Sequence, residues 1–438
     1  MSDRRRVRLG DVIDIKHGYA FKGDYFCSEP PGDFLLTPGN FAIGGGFQWG
    51  KQKFYRGGPV PSDYVLNAGD ILITMTDLSK QADTLGYSAK VPESKYRILH
   101  NQRLGRIFAK NNEIKLEYVH WLLRTDDYRN EILASCSGST VKHTSPKKIL
   151  AFEFDLPAPD EQVKISTILD DIDDKIELNR RMNETLEAMA RSLFKDWFVD
   201  FGPTRAKMEG RPPYLAPEIW NLFPDRLDDE GKPEGWTNDP LTEFFSIVGG
   251  GTPMTSVSEY WNGNIPWFSV TDTPPRADVF VVSTEKTITN DGLASSSARL
   301  VPRGTTIISA RGTVGNLAIV GRDMTFNQSC YGLRAIEPVG DYATYLIAQN
   351  MVSTLQARAH GSVFSTITRK TFEALKQQKA TPQLLQAFEM LVSPFFDRIL
   401  ANVSESETLS ITRDLLLPKL MSGEVRVANT EQTEQEAT

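Results

Sequence analysis

Apolar residues recur along this chain at two spacings, and the longer run is helical. Between Pro159 and Phe201 a stripe returns every seven residues at Ile165, Ile172, Asn179, Leu186 and Leu193, with Ile168, Met182 and Met189 filling the positions between. A seven-residue recurrence marks a helix that keeps one face against another helix. It predicts a coiled-coil helix of about forty residues, about 60 Å long. Phe388, Phe395, Asn402, Leu409 and Leu416 repeat the stripe, again with Asn in third place. The offset is constant, since 388 − 165 and 402 − 179 both give 223. It also pairs Gly138-Ser139 with Gly361-Ser362, Lys147 with Lys370 and Pro159 with Pro382. The chain therefore reads as an internal repeat, a domain followed by a helix, twice over. An Asn in an apolar stripe is costly unless its amide finds a partner, and a matching Asn on a facing helix would fix the register. Asn179 and Asn402 are expected to face each other.

The second spacing is short and β-like. Asp70-Ile71-Leu72-Ile73-Thr74 and Arg103-Leu104-Gly105-Arg106-Ile107-Phe108 sit between Gly, Pro and Asp breaks, while Glu117 to Leu133 has the spacing of one amphipathic helix. Residues 1–155 are thus a mixed α+β domain. Residues 236–381 repeat it more loosely: Leu300 to Ile308 answers Val65 to Ile73, and Asn327-Gln328 answers Asn101-Gln102. Helical segments at 156–201 and 382–425 follow the two domains. Pro- and Gly-rich residues 202–235 read as a linker, and the polar, acidic residues 426–438 as a disordered tail.

Composition narrows the class. At 438 residues the chain is too long for one core. No apolar run approaches a membrane span, and the basic start Arg4-Arg5-Arg6 lacks a signal peptide's apolar segment, so a cytoplasmic location without membrane attachment is expected. Cys27, Cys136 and Cys330 are scattered and read as reduced structural thiols; no metal site is expected. The net charge of −7 is unevenly spread: residues 1–150 carry +6, 151–235 carry −9, 236–381 carry +1 and 382–438 carry −5. A polyanion could dock on the domains and avoid the acidic helices, although ordinary solvated helix faces explain the acid equally well.

Two apparent catalytic motifs fail on chemistry, and a third is missing. Pro159-Asp160 with Asp173-Asp174-Lys175 matches a metal-dependent nuclease in letters, but all ride one helix and read as exposed helix charges. Arg211-Pro212-Pro213-Tyr214 resembles an amino-methyltransferase motif, yet Arg offers no acceptor for the target amino group. No GxxxxGK(S/T) phosphate loop occurs. No catalytic residue is therefore assigned.

Leu156-Pro157-Ala158-Pro159-Asp160-Glu161-Gln162 resembles the LPP-x-x-EQ lead into the first conserved region of the specificity subunits of type I restriction-modification systems. Leu193 to Phe201 is similar to the end of that region, and Leu416 to Glu424 to the family's C-terminal ending. In the second domain Gly250-Gly251-Thr252-Pro253, Tyr260 to Trp267 and Arg311 to Gly315 resemble its target-recognition domains; Pro382-Gln383-Leu384-Leu385 departs from the PxxEQ pattern. The resemblance implies a DNA-reading protein without an active site. Domains 1–155 and 236–381 would be target-recognition domains, each reading half of a split, asymmetric duplex site, held apart by two antiparallel helices. It also implies two docked methyltransferase subunits and ATP-driven motor-nuclease subunits, with S-adenosylmethionine, ATP and Mg2+ bound by those partners and none by this chain. An enzyme acting alone on DNA, as methyltransferase or nuclease, is the alternative, and a coiled-coil assembly protein without DNA function a third.

Base and phosphate contacts come from Arg, Lys, Asn, Gln, Ser and Thr on loops that reach a groove. The candidates are Lys142, His143, Thr144 and Ser145 before the first helix, and Ser365, Thr366 and Arg369 before the second. Thr74 and Thr76, Arg311 and Thr313, Asn101, Gln102 and Arg103, and Asn327 and Gln328 complete the set. For each, surface decoration or a turn-stabilising role is the competing reading.

Overall fold

The structure, a computed structural model, describes residues 4–79, 81–275, 278–360 and 366–427. Ser365, the Gly361-Ser362 pair and residues 428–438 of the tail lie outside it. Two compact units result: Met1–Asp174 with Leu409–Thr438, and Lys175–Thr408. The predicted long helices run Pro159–Phe198 and Pro382–Ser422, so each contributes one part to each unit.

The sevenfold stripe is inward, but its companions lie four residues on instead of three. Leu169, Asn183, Ala190 and Trp197 are buried and Ile176 half-buried, whereas Ile168 and Met182 are half-buried and Met189 is exposed. Apolar residues stand at both spacings, and only the facing helix decides which turns inward. In the second helix Val392, Ile399, Ser406, Arg413 and Leu420 hold the same places, each 223 residues on.

In the second unit the helices meet with their numbering running in opposite senses. Phe388 packs on Trp197 and Phe198, with ring centroids 5.4 and 4.9 Å away. Asn402 Nδ2 donates to Asn183 Oδ1 at 2.8 Å, and Asn179 Nδ2 donates to Ser406 Oγ at 3.2 Å and to Glu405 Oε2 at 2.9 Å. Asn179 and Asn402 therefore do not pair amide to amide; Asn179 reaches only the Asn402 carbonyl oxygen, at 3.4 Å. Each amide bonds instead to the partner helix's next companion position, and Asn183 and Ser406 are themselves equivalents. The pairing is reciprocal, the mark of a local two-fold relation.

Each unit carries one mixed domain built on the same sheet. In the first the strand order is Ile13–His17, Leu104–Ala109, Ile71–Thr74, Ser88–Lys90; in the second it is Phe245–Gly249, Cys330–Ala335, Thr306–Ser309, Leu317–Val320, with Phe280–Val281 added. A short antiparallel pair closes each domain, Arg5–Arg8 on Glu153–Leu156 and Thr237–Pro240 on Lys376–Lys379. The predicted helix 117–133 is broken into Leu116–Leu122 and Asp126–Ser135, because the Thr125 hydroxyl accepts from Tyr128 N and starts a new helix. Residues 202–235, read as a linker, hold helices Gly202–Met208 and Pro217–Trp220 and pack Phe223 edge-on to Trp197, centroids 5.0 Å apart. No helix among the described residues is long and apolar enough to cross a membrane.

Long-helix side chains cap domain helices. Gln162, fully buried, accepts from Lys115 N at 2.8 Å at the start of Leu116–Leu122 and donates to the carbonyls of Glu113 and Pro157. Glu389 accepts from Tyr342 N and Ala343 N at 3.0 and 2.9 Å, at the start of helix Asp341–His360. Asp173, expected to be a solvated charge, is a junction in the first unit. Its Oδ2 accepts from Arg124 Nη1 at 2.7 Å and its Oδ1 from Arg413 Nη1 at 2.6 Å, and the Arg124 side chain is only 4% exposed. Arg124 also donates to the Gly44 carbonyl. Replacing Asp173 by Leu strands a buried guanidinium and should cost about 3–5 kcal/mol of stability. Arg124→Met combined with Asp173→Leu should recover much of that loss in denaturant titrations; no recovery would show that the pair is not the source of the cost.

Candidate nucleic-acid interface

One edge of each domain is tied together by the same set of backbone bonds. In the first, Tyr19 N donates to His100 O (2.9 Å), Met75 N to Arg103 O (3.0 Å) and Thr144 N to Met75 O (3.1 Å). In the second, Gly251 N donates to Phe326 O (2.9 Å), Ala310 N to Ser329 O (2.8 Å) and Ile367 N to Ala310 O (2.9 Å). Asn101 Oδ1 accepts from Arg103 N and Asn327 Oδ1 from Ser329 N, both at 3.0 Å, and each closes a tight Asx turn. Gly18 and Gly250 lie against these turns: a Cβ on either would collide with the carbonyl oxygen of Asn101 or Asn327. The correspondence is residue by residue. Gln102 matches Gln328, Arg103 matches Ser329, Thr76 matches Arg311, and His143 matches Thr366.

This scaffold sorts the predicted residues. Gln102 and Arg103 are exposed on the first rim, His143 is exposed and Lys142 half-buried on the adjoining strand, and Arg311, Thr313 and Gln328 are exposed on the second. Thr366 is half-buried and bridged to Arg311. Others are committed inside. Thr74 is fully buried and its hydroxyl donates to Thr84 O, as the Ser309 hydroxyl does to Thr313 O, so neither faces a ligand. Thr76 is buried with Oγ1 3.2 Å from His143 Nδ1. Thr144 keeps its hydroxyl buried, and Ser145 caps helix Pro146–Leu150 by accepting from Lys148 N. Arg369 is exposed, but its Nη2 donates to Ile247 O at 2.8 Å. The Asn101 and Asn327 amide oxygens hold turns, as described.

The first rim brings two cationic side chains, Lys53 and Arg103, near each other. Lys53 lies over the Phe26 ring at 3.8 Å, and its ammonium is pushed below the usual lysine range by burial and then by the nearby Arg103 charge. Beneath the same rim His100 is fully buried: Nε2 donates to Leu104 O at 3.0 Å and Nδ1 has no partner among the described residues. Burial pulls its pKa down to about 4, because a second ring proton would find no acceptor. Phe326 holds this place in the second domain. Gly18 escaped the sequence reading because a glycine needed for close approach looks like any other glycine, whereas Gly250 was singled out only as part of the Gly250-Gly251-Thr252-Pro253 stretch.

The family profile described as "Type I restriction modification DNA specificity domain" matches residues 1–188 and 233–379. The type I restriction enzyme HindI specificity subunit of Haemophilus influenzae is 26% identical over 362 residues, covering 72% of this chain and 78% of its own length. The MjaIX specificity subunit of Methanocaldococcus jannaschii is 26% identical over 363 residues, 78% of this chain and 76% of its own. The solved structure of a type I restriction-modification system S subunit from M. genitalium has the same fold, with a TM-score of 0.57 at 13% identity over 96% of both chains.

His100 makes stability acid-sensitive with a defined sign. Its folded pKa lies below the unfolded value of about 6.5, so the stabilisation is complete above 6.5 and is lost as pH falls toward 4, by about 3 kcal/mol at most. His100→Phe, the residue of the second domain, should flatten this part of the stability–pH curve in urea titrations. An unchanged slope would place the acid sensitivity elsewhere.

Proposed function

Because the chain belongs to the family of type I restriction-modification DNA specificity domains, we propose that its two rims each bind one half of a split, asymmetric duplex target and that the long helices set the gap between the halves. The observation that carries this reading is the duplicated rim: one backbone scaffold, present twice, with different side chains exposed on it. A single recognition surface would not need two scaffolds, and identical surfaces would read a palindrome. The helices pair as an antiparallel coiled coil and serve as the spacer. Two turns of B-form duplex, about 34 Å each, are commensurate with helices of this length.

The chain catalyses nothing itself in this proposal. It docks two methyltransferase subunits, which use S-adenosylmethionine to methylate adenine, and motor-nuclease subunits that use ATP and Mg2+, in the cytoplasm. Equivalent apolar strips on the two helices support two copies of one partner. Ala188, Met189, Ser192 and Leu193 line a groove on the first helix, and the exposed Ile411 and Leu415 of the second stand 223 residues beyond Ala188 and Ser192.

Adenine-methylation mapping of genomic DNA from cells carrying this chain and its co-encoded methyltransferase tests the proposal. A bipartite motif with an unread gap, lost when the chain is deleted, is expected; a continuous motif, or methylation that survives the deletion, refutes it. Inserting seven residues at equivalent points of both long helices should lengthen the gap and leave both half-sites intact. A change in the half-site letters would mean that the helices do not act as a spacer.

A further inference from the structure

Resting on that reading, we infer that sequence is read where the two rims differ, and that each rim recognises a guanine through one arginine, Arg103 in the first domain and Arg311 in the second. What the rims share cannot tell two unlike half-sites apart. The Asn turn, the adjoining Gly and the exposed Gln102 or Gln328 are common to both. A Gln at an equivalent place on both rims suits the phosphate–sugar backbone, which is the same under either half-site. The Thr252 hydroxyl donates to Gln328 Oε1, which leaves the Gln328 amide N–H groups to donate outward.

The differing positions carry the two arginines. Ser329 stands where the first domain has Arg103, and the buried Thr76 stands where the second has Arg311. Among the described arginines of the first domain, Arg103 alone has a guanidinium with no hydrogen bond or ion pair; Arg4, Arg5, Arg6, Arg8, Arg56, Arg97, Arg106, Arg124 and Arg129 are all engaged. Its backbone is nonetheless held at both ends, N–H on Asn101 and C=O on Met75. In the second domain Arg299, Arg322 and Arg334 are also unengaged among the described residues, so there it is position on the rim, and not freedom alone, that singles out Arg311. Its guanidinium has no partner among the described residues, its backbone is bridged to Thr366, and Gly312 beside it, at φ +73°, leaves open space. Arg369, three residues beyond Thr366 of that bridge, is tethered to its own domain.

A fixed backbone carrying a free planar fork matches the O6 and N7 acceptors of guanine in the major groove, a pairing that a Gln, Ser or Thr does not reproduce. Because Arg103 sits on a turn and Arg311 on an isolated bridge two residues beyond strand Thr306–Ser309, the two guanines fall at non-equivalent places in their half-sites.

The test exchanges residues between rims, so that each variant carries a side chain the sister scaffold already accommodates: Arg103→Ser and Arg311→Thr, with Gln102→Ala and Gln328→Ala beside them. Each full-length variant is co-expressed with its methyltransferase, and methylation motifs are mapped on genomic DNA and on a randomised duplex library. Thermal melts confirm folding. A wild-type motif that is not bipartite would sink the proposed function itself, before any variant is considered. Given a bipartite wild-type motif, Arg103→Ser should make one guanine of one half-site degenerate, with discrimination there falling about 10- to 100-fold and the other half unchanged. Arg311→Thr should do the same in the other half. The Gln variants should lower methylation of all targets alike, with every letter kept and a shallower salt dependence. The inference fails if an arginine variant leaves all letters intact, relaxes a letter other than guanine or weakens every target equally, or if a Gln variant relaxes a letter.

Discussion

Everything in this molecule hangs on two helices of 40 and 41 residues whose apolar seams are too long to leave wet. Such a seam is buried only against a partner of the same pitch, and the 223-residue repeat supplies one from within the chain. Apolar packing alone would tolerate a slip of one heptad. The amides prevent it: Asn402 needs Asn183, and Asn179 needs Ser406 and Glu405, so a slipped pairing would strand several buried polar groups at once. The polar crossing thus trades some burial energy for one register.

The two domains grip their helices by different chemistry at equivalent places. Asp173 of the first helix joins Arg124 and Arg413, whereas its equivalent 223 residues on, Phe396, stacks on Tyr342 at 4.5 Å with the rings 7° from parallel. A buried ion pair is intolerant of losing one member and indifferent to small losses of packing; an aromatic stack behaves the opposite way. The repeat has kept the architecture and let the fastening drift. The caps have drifted too, Gln162 on one helix and Glu389, one turn further along, on the other.

The duplication, both long helices and the α+β character of the domains were legible because each rests on a spacing, and spacings survive in sequence. The Asn-Gln pairs were legible as a motif, although their asparagines proved to build turns. What stayed hidden depends on partners distant in the chain. Whether Met189 or Ala190 faces inward is decided by the other helix; that Thr74 is buried is decided by the segment around Thr84. Asp173 looked like any acidic helix residue until Arg124, 49 positions earlier, was placed beneath it. The packing of the Pro- and Gly-rich stretch 202–235 stayed hidden for a related reason: Phe223, not the helix breakers, ties it to Trp197.

The first unit is closed by residues that are synthesised more than two hundred positions after its domain. Leu417 and Leu420 lie in the same core as Ile165 and Leu169, and Arg4 bonds at once to Glu161 and to the carbonyls of Leu420 and Met421. The second unit, by contrast, is one continuous stretch. Every residue of the second unit is therefore made before the helical turns that cover the seam around Ile165, and until those turns emerge that seam is the stretch on which a chaperone, or a premature neighbour, would act.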